Sequence, residues 1–167
     1  MRTGGRITLL NSKIKSLKEL KTEIKKLQRQ GKKAVFTNGC FDIIHYGHAQ
    51  YLEDARLKGD ALIVAINSDA SVRKIKGPCR PVVNQRDRMR TIAALESVDF
   101  VTIFDQETPL KLIETLKPDV LVKGADWDKS KIVGADAVLK NGGKVYRIKL
   151  APGRSTTNLI KKIAKTA

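Results

Sequence analysis

Short apolar runs and longer amphipathic ones alternate along this chain. Leu17, Leu20, Ile24 and Leu27 recur at helical intervals before Gly31, and Ser16 with Glu19 has capping-box spacing, so "SLKELKTEIKKLQRQG" predicts one amphipathic helix. The period then changes. "KAVFTN", "ALIVAIN", "DFVTIF", "DVLVKG" and "GKVYRIKL" are short runs rich in Val and Ile, bounded by polar or Gly/Pro punctuation, as expected of strands buried on both faces. Between and after them, "HAQYLEDARLKG", "NQRDRMRTIAALESV", "TPLKLIETLK", "KSKIVGADAVLKNG" and "STTNLIKKIAKTA" read as helices.

This alternation predicts an α/β fold: a Rossmann-like three-layer α/β/α sandwich with a mostly parallel five-stranded sheet and right-handed crossovers. In such a sheet ligands bind beyond the carboxyl ends of the strands. The one long irregular segment, "SDASVRKIKGPCRPVVNQ", carries Pro78 and Pro81 and predicts a mobile loop at that edge. The expected organisation is a basic N-terminal extension over 1–32, carrying the first helix, and one domain over 33–167.

A chain of 167 residues is long enough to bury roughly 70% of its unfolded surface without disulfides. Cys40 and Cys79 match no metal-ligand spacing and suit a reduced, intracellular protein. The N-terminus lacks the apolar stretch of a signal peptide, and no window approaches the ~18 apolar residues of a membrane span. The expectation is a soluble cytoplasmic protein with no membrane partner.

The formal net charge of +16 changes the picture towards anionic ligands. Residues 1–33 hold eleven Lys/Arg against two Glu, so over half of the excess sits on the N-terminal segment. Aromatic residues make up only 5%, little material for stacking bases, so a nucleic-acid partner is disfavoured; a basic nucleic-acid-binding module without catalysis stays as the alternative of another class.

Both histidines of the chain fall in "GCFDIIHYGHAQ", after the first predicted strand and at the start of a helix. A separation of three puts His45 and His48 on one helix face, near the free N–H groups of the first turn. Two neutral donors beside a positive helix end make an anion site, and Gly47 keeps a side chain out of the way. A pair of ordinary surface histidines, or a metal pair lacking its third ligand, is the plainer alternative. Asp42 could orient an imidazole or help hold Mg²⁺. Cys40 has no histidine clearly set to deprotonate it and reads as a small packing residue.

A second candidate anion site opens the last helix, where Ser155, Thr156 and Thr157 can cap the helix or turn to a phosphate. Lys74 and Lys76 could reach phosphates as point charges, and Arg80 or Arg88 could add a forked donor. Lys123 and Gly124 close a strand in "LVKGADW". Asp126 behind them serves either as a cap or at the site, and Trp127 as packing.

"GCFDIIHYGHAQYLEDARLKGDALIVAINSD", with "RPVVNQRDRM", "LVKGADW" and "STTNLIKKI", resembles the H-x-G-H nucleotidyltransferase superfamily from about Lys33 to the C-terminus. Within it the wording is similar to the D-glycero-β-D-manno-heptose 1-phosphate adenylyltransferases. The resemblance implies transfer of AMP from ATP to that sugar 1-phosphate, releasing pyrophosphate and an ADP-heptose for the lipopolysaccharide core, with Mg²⁺ accompanying ATP.

It implies catalytic roles for His45, His48, Lys76 and Arg88. Nucleotide binding is implied for Asn38, Gly39, Cys40, Phe41 and Asp42 on the first strand's end, and for Gly47 between the histidines. Lys123, Gly124 and Asp126 join them, and the "STT" at 155–157 closes over the triphosphate. A cytidylyltransferase acting on glycerol 3-phosphate or a related alcohol phosphate is the alternative. Such enzymes tend to carry an arginine where this chain has Leu150, while Arg154 departs from both patterns. Some relatives fuse the enzyme to a sugar kinase; 167 residues leave no room for one, so a separate heptose kinase is expected upstream. Homo-oligomerisation stays open.

Overall fold

The computed structural model describes residues 9–125, 128, 131–149 and 155–166. Its strands are β1 (Ala34–Gly39), β2 (Ala61–Asn67), β3 (Phe100–Phe104), β4 (Val120–Gly124) and β5 (Lys144–Ile148). They form one sheet in the order β3-β2-β1-β4-β5, and every neighbouring pair is parallel. All five apolar runs are therefore strands.

Alternate residues of these strands feed two separate cores, because successive side chains of a strand point to opposite faces. Val35, Val64, Val101 and Val122 pack with Tyr51, Leu52 and Ala55 of α3 (Tyr46–Arg56) and with Ile92 and Ala93 of α5 (Gln85–Ala93). Ala34, Phe36, Ile63 and Leu121 pack on the other side, against α2 (Leu17–Arg29), α6 (Leu110–Leu116) and α7 (Ala135–Lys140). A sheet covered this way has no solvated face, which is why its strands read as continuous apolar runs rather than alternating ones.

Helix α2 has the capping box foreseen at Ser16 and Glu19. Its apolar stripe is not displayed on a free-standing arm: Leu20 and Ile24 are fully buried in the second core. Ahead of it a short helix, α1 (Leu9–Lys13), leads to Ile14, which bridges to Val101, while Lys15 N donates to the Val101 carbonyl at 2.9 Å. The basic segment thus packs onto the sandwich, with α2 beside α6 and α7 over one core and Leu10 and Ile14 against the other.

Two sequence expectations are corrected. The segment foreseen as a loop from Ser68 onward begins with a helix, α4 (Asp69–Lys76), capped by Ser68 Oγ, which accepts from Ser71 N at 3.1 Å. Its only fully buried residues are Ser71 and Val72, so no apolar stripe marked it. The irregular part is confined to Gly77–Asn84. Of the segment "KSKIVGADAVLKNG", the described residues form an α-helix only over the six residues of α7, which begins after Gly134; the left-handed φ of +85° there suits glycine, and a Cβ would meet Ile113 at 2.5 Å.

Candidate active site

The last helix, α8 (Thr156–Thr166), returns to the carboxyl edge of the sheet, where Thr156 Oγ1 donates to the Ile43 carbonyl at 3.4 Å. Between this helix start, the end of β1 and the last turn of α4 lies a cavity of about 680 Å³. The cavity thus lies at the edge where a parallel sheet is expected to bind ligands.

Its floor is the turn from β1 into α3. Asn38, Gly39, Cys40, Phe41 and Asp42 all line it. Phe41 has φ +46°, uncommon for a bulky residue, and its buried ring meets His48 edge-on, with centroids 5.5 Å apart. Gly39 makes this possible, since a Cβ there would lie 3.0 Å from the Phe41 ring.

His45 is the N-cap of α3, and its Nδ1 accepts from Gly47 N at 3.1 Å. That bond assigns the neutral ring's proton to Nε2. The rings of His45 and His48 stack with centroids 4.0 Å apart and planes 29° from parallel. His48 lines the cavity, and its Nδ1 is buried with no hydrogen-bond partner among the described residues. Burial, and then the neighbouring His45, push its pKa from 6.5 down to about 4. His48 is therefore neutral at neutral pH. His45 supports it by stacking, and Gly47 is buried in the first turn; neither lines the cavity.

Cations enter from two sides. Lys74 and Lys76 at the end of α4, with Arg80, line one wall, and Lys123 and Gly124 at the end of β4 another. Lys123 is nearly buried and donates to Asn38 Oδ1 across the gap between β4 and β1. Thr156 and Thr157 of α8 close the cavity, so the imidazole and the hydroxyl-bearing helix start do share one space. Ser155 takes the plainer role weighed for it: its Oγ accepts from Asn158 N at 3.1 Å and caps α8. Asp126, Trp127, Leu150 and Arg154 lie outside the described residues.

Two expectations fail on hydrogen bonding. Arg88 was assigned to the substrate, but its side chain has no exposed surface. Nε donates to the Val83 carbonyl at 3.0 Å, Nη1 to the Cys40 carbonyl and Nη2 to Asp69 Oδ1 at 2.7 Å. It fastens the β1–α3 turn to the first residue of α4 and does not line the cavity.

For Asp42 the sequence offered a role in orienting an imidazole or helping to hold Mg²⁺. Instead Oδ2 accepts from Arg80 Nε at 2.6 Å, and its carboxylate also accepts from Val82 N and Val83 N, with Oδ1 to Val83 N at 2.8 Å. Burial by itself would raise its pKa; the Val83 and Val82 amides and Arg80 outweigh this and hold it below the ordinary carboxylate value. Both oxygens are committed to the Gly77–Asn84 loop. No cluster of three His, Cys, Asp or Glu side chains suited to a metal occurs among the described residues.

Cys40 lines the cavity as a protonated thiol: burial raises its pKa, and Asp42 adds to this against the opposing pull of Lys76, Arg88 and Arg80. That is the wrong direction for a nucleophile. The cavity also includes residues the sequence reading did not name. Tyr51 bridges two strands, pairing with Thr37 Oγ1 at 2.8 Å and donating to the Val122 carbonyl at 3.3 Å. Asn67 is the last residue of β2, and Glu107, Thr108 and Pro109 follow β3. For all but Tyr51, which lies within α3, the signal was positional: they sit at or just past the carboxyl end of a strand.

The cytidylyltransferase-like family matches residues 36–161. The chain is similar to the bifunctional protein HldE of Syntrophotalea carbinolica, 49% identical over 153 residues, and to that of Geotalea uraniireducens, 51% identical over 153 residues; each match covers 92% of this chain and 31% of the relative. The chain thus spans about a third of the length of these relatives. Among solved structures it resembles the lipopolysaccharide core biosynthesis protein from Thermoplasma volcanium GSS1, with a TM-score of 0.60 and 28% identity over 72% of this chain and 98% of that one. The matched span begins inside β1, takes in both histidines and ends within α8, the elements that enclose the cavity, and the chain belongs to the cytidylyltransferase-like family.

Proposed function

We propose that the protein is a nucleotidyltransferase that moves AMP from ATP to D-glycero-β-D-manno-heptose 1-phosphate, giving ADP-heptose and pyrophosphate for the lipopolysaccharide core. The observation that carries this reading is a neutral His48 sharing one cavity with the threonines of α8 and the lysines of α4 and β4. The names of the similar proteins, one bifunctional HldE and one acting in lipopolysaccharide core biosynthesis, favour a sugar phosphate as acceptor.

A sugar 1-phosphate is already an anion at neutral pH, so its oxygen needs no general base before attacking the α-phosphorus. The work left for the protein is alignment and charge compensation. As the bond to the leaving pyrophosphate breaks, negative charge grows on its oxygens. A neutral imidazole can donate a hydrogen bond there through its one N–H, and Thr156, Thr157 and the first turn of α8 face the same space. Lys74, Lys76 and Lys123 offset the repulsion between two polyanions. Mg²⁺ is proposed to accompany ATP on the nucleotide's own phosphates. No covalent enzyme intermediate is invoked, in keeping with the protonated Cys40.

The reaction belongs in the cytoplasm, where ATP is, and it requires a sugar kinase to supply the 1-phosphate. The family's description favours a second reading, cytidylyl transfer to an alcohol phosphate. A pyrophosphate-release screen crossing ATP and CTP with heptose 1-phosphate and glycerol 3-phosphate decides between them. Release only with ATP and the heptose is expected; release confined to CTP and glycerol 3-phosphate would replace the first reading by the second.

A further inference from the structure

The cavity has an end that phosphate binding does not account for. Beyond β2 and β3 it is lined by Asn67, Glu107 and Thr108. Apart from Asp42, whose oxygens are committed to Arg80, Val82 and Val83, Glu107 is the one acidic side chain lining it among the described residues. A carboxylate beside a site for polyanions weakens phosphate binding by like-charge repulsion, so phosphate is not what it suits.

Nor is Glu107 spent on the fold. It stands just before α6, where an acidic or hydroxyl side chain would ordinarily cap the helix, yet the N-cap of α6 is Pro109 and makes no side-chain capping bond. The residue is exposed and lines the cavity.

The segment carrying it is nonetheless fastened down. Ser71 Oγ donates to the Gln106 carbonyl at 2.8 Å and accepts from Asn67 Nδ2 at 2.9 Å, while Ser68 N donates to the Phe104 carbonyl at 2.9 Å. Three buried polar residues, Asn67, Ser68 and Ser71, thus tie the chain after β3 to the start of α4. The same helix ends in the phosphate-facing Lys74 and Lys76, so carboxylate and cations are set on one mount at opposite ends of α4.

We infer that Glu107 is the specificity-determining residue of an acceptor subsite for a polyhydroxylated sugar phosphate: its carboxylate accepts hydrogen bonds from sugar hydroxyls while the sugar's phosphate lies towards Lys74 and Lys76. This deepens the proposed function and rests on it for the acceptor's class. A carboxylate accepting from hydroxyl donors makes the strong, charge-assisted kind of hydrogen bond, and a ligand lacking those hydroxyls forgoes it.

The test is calorimetric titration of the full chain with a hexose 1-phosphate, with glycerol 3-phosphate and with inorganic phosphate, repeated on Glu107→Gln and Glu107→Asp, beside steady-state kinetics for ATP. The wild type should bind the hexose 1-phosphate more tightly than inorganic phosphate. Glu107→Gln should weaken the sugar phosphate about tenfold or more, leave inorganic phosphate as tight or tighter, and leave KM for ATP unchanged; Glu107→Asp should recover part of the loss. Equal weakening of inorganic phosphate, an unchanged affinity for the sugar phosphate, or a change confined to ATP would each overturn the assignment. Because the titrations need no turnover, a wild type that binds the sugar phosphate in this hydroxyl-dependent way but releases no pyrophosphate supports the subsite while refuting the proposed reaction.

Discussion

Arg88 and Asp69 form an ion pair of 2.7 Å in which the guanidinium is wholly buried and the carboxylate is 23% exposed. The pair holds α4, and therefore Lys74 and Lys76, against the turn whose Cys40 carbonyl Arg88 also binds. Removing one partner leaves the other's polar atoms unserved, a loss of about 3–5 kcal/mol for a buried pair. We expect Arg88→Ala to lower unfolding stability by that order and Arg88→Lys to fail to restore it, since one ammonium cannot span three acceptors in a fork. Urea unfolding of the three proteins measures both. Stability unchanged in Arg88→Ala would return the arginine to the substrate.

His48 is expected to act on charge in the transition state while carrying little of the fold, being half-buried with an unbonded Nδ1 among the described residues. His48→Ala should retain its melting temperature within a few degrees and lose about 10²–10³ in kcat, with KM for ATP changing far less. Steady-state kinetics beside a thermal melt separates this from simple unfolding. Equal turnover in a folded His48→Ala protein would remove the imidazole from the mechanism.

The same side chain gives the stability a pH dependence of known sign. Its folded pKa of about 4 lies below the ordinary 6.5, so between these values the unfolded chain binds the proton more readily. His48 therefore costs nothing above pH 6.5, and its contribution is lost progressively as pH falls from 6.5 towards 4. Urea midpoints at pH 7, 6 and 5 should decline in the wild type and decline less in His48→Gln. Parallel slopes for the two proteins would contradict the buried neutral imidazole.

Asp42 holds the Gly77–Asn84 loop through Arg80, Val82 and Val83, and its loss should act on binding as well as stability. We expect Asp42→Ala to raise KM for ATP and to open the loop to limited proteolysis near Arg80. Activity of Asp42→Ala should not be recovered by excess Mg²⁺, because the carboxylate serves the loop. Recovery by magnesium would identify it as a metal ligand instead.

Lys123→Met should keep the fold yet weaken ATP, because its ammonium reaches Asn38 at the cavity floor from a neighbouring strand. Titration with ATP should show the loss, and circular dichroism should match the wild type. An ATP affinity equal to the wild type would leave Lys123 a purely structural cross-strand donor.

The sequence by itself determined the layers and the sheet edge at which the cavity lies. Five apolar runs of strand length between amphipathic segments leave few arrangements besides a covered parallel sheet, and parallel sheets bind ligands at one edge. His45 and His48 could be placed at that edge because their spacing is local: three residues on a helix fix a shared face whatever surrounds them. The cap at Ser16 and Glu19 was legible for the same reason.

What only the tertiary structure decided are the partners of charges far apart in the chain. Arg88 and Asp42 carry the same charges in sequence whether they meet a phosphate or a main-chain carbonyl and amide, and nothing near them in the chain states which. Their bonds to Cys40, Asp69, Arg80 and Val83 arise where separate loops cross, at 38 to 48 residues' separation for the longest of them. Glu107 was unreadable for a related reason. A carboxylate before a helix is ordinarily a cap, and only the packing of the chain after β3 against α4 turns this one into the cavity.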